Sequence, residues 1–181
     1  MNTTNNTEPY QSRAVIELLT VSNEYCLFLE KAEEYPVSDI KDFLQKVLPL
    51  LYLKGLLLPD INILHPEANE RFVTAEQWEK IFGDLRDKFS DSDEYWTIDR
   101  SDETITSKES MADNFADIYQ DLKDFVLLYQ RNTKAAQEIA VAECKRLFKI
   151  HWGERISKVL PVLHTRQFES DNRELNDFWD L

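Results

Sequence analysis

The stretch "MADNFADIYQDLKDF", residues 111–125, carries two patterns at once. Met111, Phe115, Ile118, Tyr119, Leu122 and Phe125 recur at helical spacing, and Val126 and Tyr129 extend the series, which predicts an amphipathic helix over about 110–131. Asp113, Asp117, Asp121 and Asp124 recur at spacings of four, four and three, so the same helix stacks four carboxylates along one stripe. Like charges one turn apart cost roughly 0.2–0.5 kcal/mol per pair. Water, a metal ion or basic groups must offset that cost. The helix decides the fold class, and the stripe poses the functional question.

The rest of the chain repeats the same periodicity. Only three glycines occur in 181 residues, which favours helix over strand and turn. From Ser12, the residues Val15, Leu18, Leu19, Ser22, Tyr25, Cys26 and Leu29 share one face. A second helix starts near Ser38 and is apolar around most of its girth through Tyr52, which predicts a place at the centre of a bundle. Residues 56–73 read as an irregular connector lying on the bundle through Leu57, Ile61, Ile63 and Leu64. Thr74 and Gln77 stand in capping-box register before a helix whose buried face is Trp78, Ile81, Phe82, Leu85 and Phe89. "YWTI" and "TIT" allow a short hairpin around "DRSD", near 94–106. Asn132 and Thr133 cap a helix that ends at "HWG", and a last helix contains Pro161, as the second contains Pro49. A proline inside a helix removes a hydrogen bond, so two bends are expected.

The expected architecture is a single-domain, all-α bundle of five to seven helices over 12–168. A disordered lead-in over 1–11 precedes it and an acidic, aromatic tail over 169–181 follows. The tail either docks on the bundle or offers Phe178, Trp179 and Leu181 to a partner.

A formal charge of -13 disfavours nucleic acid and anionic membranes, both of which require a basic face. The charge is uneven: residues 84–124 hold thirteen Asp and Glu against five Lys and Arg, whereas 132–166 hold three against seven. The two segments are therefore expected to face each other. The amino terminus has no basic and apolar leader pattern, and no apolar run approaches the ~20 residues of a membrane span. Cys26 and Cys144 fall inside apolar patterns, without a C-x-x-C, and read as buried thiols in a reducing cytoplasm.

Phosphate-binding glycine loops, a G-x-S-x-G elbow, H-E-x-x-H and the Glu-x-x-His pair of di-iron bundles are all missing, and no cofactor is expected. What remains is the stripe. Asp113, Asp117, Asp121 and Asp124, the first three foremost, or Glu76 and Glu79, are the candidate ligands for a hard cation such as magnesium. The plainer reading is a solvated face, or pairing with Lys145, Arg146, Lys149 and Arg155. His151 is either an acid-base residue at a helix break or a helix-terminal residue packed on the Trp152 indole. Tyr95 and Trp96 either form a recognition patch or cover the bundle's end. If the stripe faces the last two helices, Asp117 or Asp121 would bond His151, the Trp152 indole or Arg155 beneath Tyr95 and Trp96.

The segments "ADNFADIYQDLKDF", "HWGERISKVLPVLH", "LYLKGLLLPD" and the "YW" at 95 and 96 resemble a bacterial family, domain of unknown function 5063, over about 12–166. The resemblance implies a small, all-helical cytoplasmic protein and marks Asp113, Asp117, Asp121, Tyr95, Trp96, His151 and Trp152 as parts of family-like motifs. It implies no reaction. The function expected is a non-catalytic interaction module, of adaptor or immunity type, that presents an acidic helix face to a basic protein. The alternative is a divalent-metal-dependent hydrolase built on the aspartates.

Overall fold

The computed structural model describes residues 8–98 and 106–179, with side chains as far as residue 166. Among these, six helices and one hairpin follow in order: α1 (Arg13–Leu29), α2 (Val37–Leu56), α3 (Ala75–Phe89), β1 (Glu94–Ile98), β2 (Thr106–Ser110), α4 (Met111–Tyr129), α5 (Lys134–Ile150) and α6 (Trp152–Trp179). The all-α bundle expected from the periodicity is what forms, with Pro49 and Pro161 inside α2 and α6.

Helix α4 is the axis, packed by α1, α3, α5 and α6. The Ser110 hydroxyl caps it by accepting from the Asp113 N–H at 3.0 Å. Its apolar series is buried as the spacing predicts, but Asp121 and Asp124 are buried as well. The expectation that α2 would be central is corrected. Helix α2 buries Ile40, Leu44, Leu48 and Leu51 against α1 and α6, while Leu50, Leu53 and Leu56 stay exposed. The centre goes to α4 because both of its faces find partners inside the bundle, whereas α2 finds cover for only one.

Helix α3 starts at the capping box: Thr74 accepts from the Gln77 N–H at 3.3 Å, and Gln77 accepts from the Thr74 N–H at 3.0 Å. Ile81, Leu85 and Phe89 are buried, with Trp78 and Phe82 half-buried beside them. In the connector, Leu57, Ile63 and Leu64 are exposed, contrary to expectation, and Leu58 is buried instead. Ile61 packs half-buried on the core as expected, with Ala68, Phe72 and Val73, and polar bonds add to the hold, among them Lys145 to Asp60 at 2.6 Å and two backbone N–H groups to Asp124.

The hairpin forms: β1 pairs antiparallel with β2, which begins at Thr106, the last residue of "TIT". Trp96 stands opposite Lys108, and β2 runs directly into α4. Ser110 ends the strand and caps α4. The proposed turn at 99–102 lies outside the described residues. Of the lead-in expected to be disordered over 1–11, residues 9–11 are ordered instead: Pro9–Gln11 form a 3-10 turn, Tyr10 is buried, and the Tyr129 hydroxyl donates to the Tyr10 carbonyl at 3.0 Å. No helix among the described residues is long and apolar enough to cross a membrane.

A single residue, His151, separates α5 from α6. Trp152, fully buried, opens α6, packs on Phe148 with ring centroids 4.8 Å apart, and donates its indole N–H to the Cys144 carbonyl at 3.0 Å. Gly55 and Gly153 sit on the Phe148 ring. A Cβ at Gly55 would stand 2.6 Å from ring atoms of both Phe148 and Trp152, and one at Gly153 would meet the Phe148 carbonyl and ring. Overpacking of this kind costs typically 1–3 kcal/mol. Gly55→Ala is therefore expected to lose about 1–3 kcal/mol in urea unfolding, whereas Gly83→Ala, with open space at its Cβ, should be neutral or stabilising.

Candidate functional site

Three of the four stripe aspartates, Asp117, Asp121 and Asp124, are turned away from bulk water. They meet cationic side chains brought from three places. Arg71, at the end of the connector, donates to Asp121 at 3.2 Å and to Asp124 at 3.0 Å. His151, at the α5–α6 junction, places Nδ1 2.6 Å from Asp121 and Nε2 3.5 Å from Asp117. Arg155, one turn into α6, donates to Asp117 at 2.7 Å. The Trp78 indole of α3 completes Asp117 at 3.1 Å, and the N–H groups of Phe72 and Val73 complete Asp124 at 2.7 and 2.9 Å. The side chains of Asp117, Asp121 and Asp124 are only 3–14% exposed. Asp113 differs: it is 43% exposed, with Arg155 3.9 Å away.

The chain of bonds continues toward the hairpin. Arg155 reaches the Asn114 oxygen at 3.4 Å, and the Asn114 amide donates to the Tyr95 hydroxyl at 2.9 Å. Tyr95 in turn donates to Glu109 at 3.1 Å, and Glu109 is paired with Lys158 at 3.0 Å. Strand alternation sends Tyr95 inward to these bonds and Trp96 outward, 69% exposed. The expected partnership of Asp117 and Asp121 with His151, and of Asp117 with Arg155, is what the geometry has. The expected bond from Trp152 is not, because its indole serves the Cys144 carbonyl. Of the four cations considered on the later helices only Arg155 reaches the stripe; Lys145 goes to Asp60 and Arg146 to Glu143. Glu76 and Glu79 lie exposed on α3.

Charge and geometry agree. The bonds to Asp117 and Asp121 hold the His151 imidazole protonated, with its pKa raised to about 9 against the pull of burial. Burial alone would raise Asp117, but His151, Arg155 and Trp78 outweigh it and hold that carboxyl below its usual range. Burial raises Asp113, with Asp117 adding to the effect. A charged imidazole bonded through both nitrogens is no base at neutral pH. The Cys26 and Cys144 thiols are pushed far up by burial, which removes them as nucleophiles.

Nor do the described residues bring three His, Cys, Asp or Glu side chains into an arrangement that could hold a metal ion. An open cleft of about 440 Å³ lies beside Arg71 and His151, walled by Gln120, Leu147 and Ile150. An anion entering it would meet Arg71 already shared among Asp121, Asp124 and Glu143.

Sequence reasoning missed Arg71, although it is the only Lys or Arg between Lys54 and Lys80 and so the one permanently charged cation the connector could bring to a buried carboxylate. It also missed Asn114, a buried polar side chain inside the axial helix.

The fold and this enclosed ion cluster define an all-helical domain locked by a polar core around one central helix. The chain belongs to the family described as domain of unknown function, DUF5063, which matches residues 10–169. It is also similar to the crystal structure of protein BF1032 from Bacteroides fragilis, at 32% identity over 87% of this chain and 94% of that one, with a TM-score of 0.79. No curated protein matches it.

Two measurements check the cluster. Asp124→Ala strips a charged acceptor from two backbone N–H groups and from Arg71, and should cost about 2–4 kcal/mol in urea unfolding. Asp113→Ala should cost less than about 0.5 kcal/mol. Because the folded pKa of His151 is raised, its contribution is complete below about 6.5 and is lost as pH rises through about 9. Asp117, lowered, contributes above about 3.8 and loses that contribution as pH falls further. Thermal midpoints should therefore decline between pH 7 and 10 in the wild type, with a smaller decline in His151→Gln.

Proposed function

We propose that this chain is a non-catalytic protein-interaction module, of adaptor or immunity type, that offers an acidic aromatic surface to a basic partner protein. Asp117, Asp121 and Asp124 are internally neutralised, so the acidic face offered is another one: α3 and the segment leading into the hairpin, residues 75–94, hold seven Asp and Glu against three Lys and Arg. Glu79, Asp87, Asp91 and Glu94 are exposed there. The observation that carries the reading is Trp96. Its neighbour Tyr95 is buried and bonded, whereas the indole of Trp96 stands in water on the strand face that also carries Glu94 and its ion-pair partner Lys108. Exposed Trp is the type of residue that anchors interfaces, and an acidic surface nearby speeds encounter with a basic protein. Two buried, unpaired cysteines fit a reducing compartment, the cytoplasm.

The hydrolase alternative would require Asp117 or Asp121 to exchange its bonds to His151 and Arg155 for a cation. A saturating ion would add about 2.7 kcal/mol and raise the thermal midpoint by roughly 5–10 °C. Millimolar Mg²⁺ or Mn²⁺ is expected to leave the midpoint unchanged; a rise of that size, abolished by Asp117→Asn, would establish the metal reading instead. For the interaction reading, a partner captured from lysate and then purified should bind the wild type in a salt-sensitive manner. Trp96→Ala should bind about tenfold more weakly or worse. Equal binding by the variant would move the interface elsewhere.

A further inference from the structure

Among the described residues, nothing covers a second apolar face of helix α2. Leu50, Leu53 and Leu57 lie at spacings of three and four along the helix and into its cap residue, and Tyr52 and Leu56 stand one turn apart beside them. All five are 37–58% exposed. The inward side of the helix is already spent on Ile40, Leu44, Leu48 and Leu51, and Gly55 meets Phe148 and Trp152. A helix apolar on both sides belongs in an interior, so the outer face calls for a covering surface.

We propose that the surface covering this face is the same face of a second copy of the chain, making a two-fold dimer through α2. Area and charge both select that occupant. The five side chains expose on the order of 400–500 Å² per copy. That is the apolar share of an interface of about 800 Å² per partner, of which roughly 60% is nonpolar, and this is the standard size for a specific contact.

The chain carries -13 overall, yet α2 holds Lys41, Lys46 and Lys54 against Asp39 and Asp42, a net +1. Lys54 is further tied to Glu17 of α1 at 2.6 Å, and Lys46 to Asp42 at 2.7 Å. Two copies meeting through acidic surfaces repel each other, whereas through α2 they bring together faces that are close to neutral. The same balance makes α2 a poor site for the basic partner proposed above, so the two surfaces are separate. An isologous contact is the simplest one that a single self-complementary face can make.

Sedimentation velocity of the full chain from micromolar to millimolar concentration tests the proposal. The mass should rise with concentration from the 21.4 kDa of one chain toward twice that value. The dimer should tighten as salt rises from 50 to 500 mM, because screening relieves the repulsion between two acidic chains while the apolar contact persists. The surface substitutions Leu53→Glu and Leu57→Glu, checked for an unchanged circular dichroism spectrum, should each weaken dimerisation at least tenfold. Trp96→Ala should dimerise as the wild type does.

A chain that stays monomeric at millimolar concentration overturns the proposal, as does a dimer that either glutamate variant leaves intact. A dimer lost on truncation after residue 166 but indifferent to the glutamates would assign the contact to the C-terminal segment, and would equally overturn it.

Discussion

Asp121 is the pivot of the molecule. It sits on the central helix with its side chain almost out of water, and one carboxylate oxygen takes Arg71 from the connector while the other takes His151 from the α5–α6 junction. Taking a carboxylate out of water costs several kcal/mol, and the cost is tolerable only when every neighbouring donor is in place at once. Segments separated by 50 and 30 residues from Asp121 must therefore reach it together. Leucines along α4 supply much of the burial energy, but many registers of helix packing would bury leucines. Far fewer would also bring Arg71, His151, Arg155 and the Trp78 indole to three consecutive turns of one stripe.

Placing α4 at the centre redistributes everything else. A helix with four aspartates looks like a surface helix, and α2, apolar nearly all round, looks like the core. The bundle reverses them, because ion pairs close the acidic face of α4 from within. The cost appears at the periphery, where α2 shows leucines to the outside. The hairpin joins the same centre: β2 ends at Ser110, the residue that caps α4, and strand alternation turns Tyr95 into the polar chain and Trp96 away from it.

Much of this was legible in the sequence. The helices follow from apolar spacing, and the start of α3 from Thr74 and Gln77, since both are local properties of the chain. The partnership of His151 and Arg155 with the stripe was legible as well, because an acidic segment and a basic one in the same small bundle have few places to go. What escaped depends on packing. Arg71 lay in a connector without periodicity, so nothing local aimed it at Asp121. The Trp152 indole bonds the Cys144 carbonyl on the preceding helix, a backbone acceptor that no sequence pattern marks. Which helix would be central was not decidable from apolar girth alone, because girth does not record whether a polar face will find partners.

The two thiols occupy different walls of this structure. Cys26 lies on α1, its sulfur directed at the Tyr119 carbonyl of α4, and Cys144 lies on α5 beneath the Trp152 indole. Burial keeps both protonated, so an alkylating reagent can modify either one only after its wall has lifted from α4. The chain thus carries two built-in clocks for breathing. Cys26 times the opening of the α1 side, and Cys144 times the opening of the side held shut by Arg71 and His151. A difference between their labelling rates would separate the apolar half of the bundle from the ionic half without any added probe.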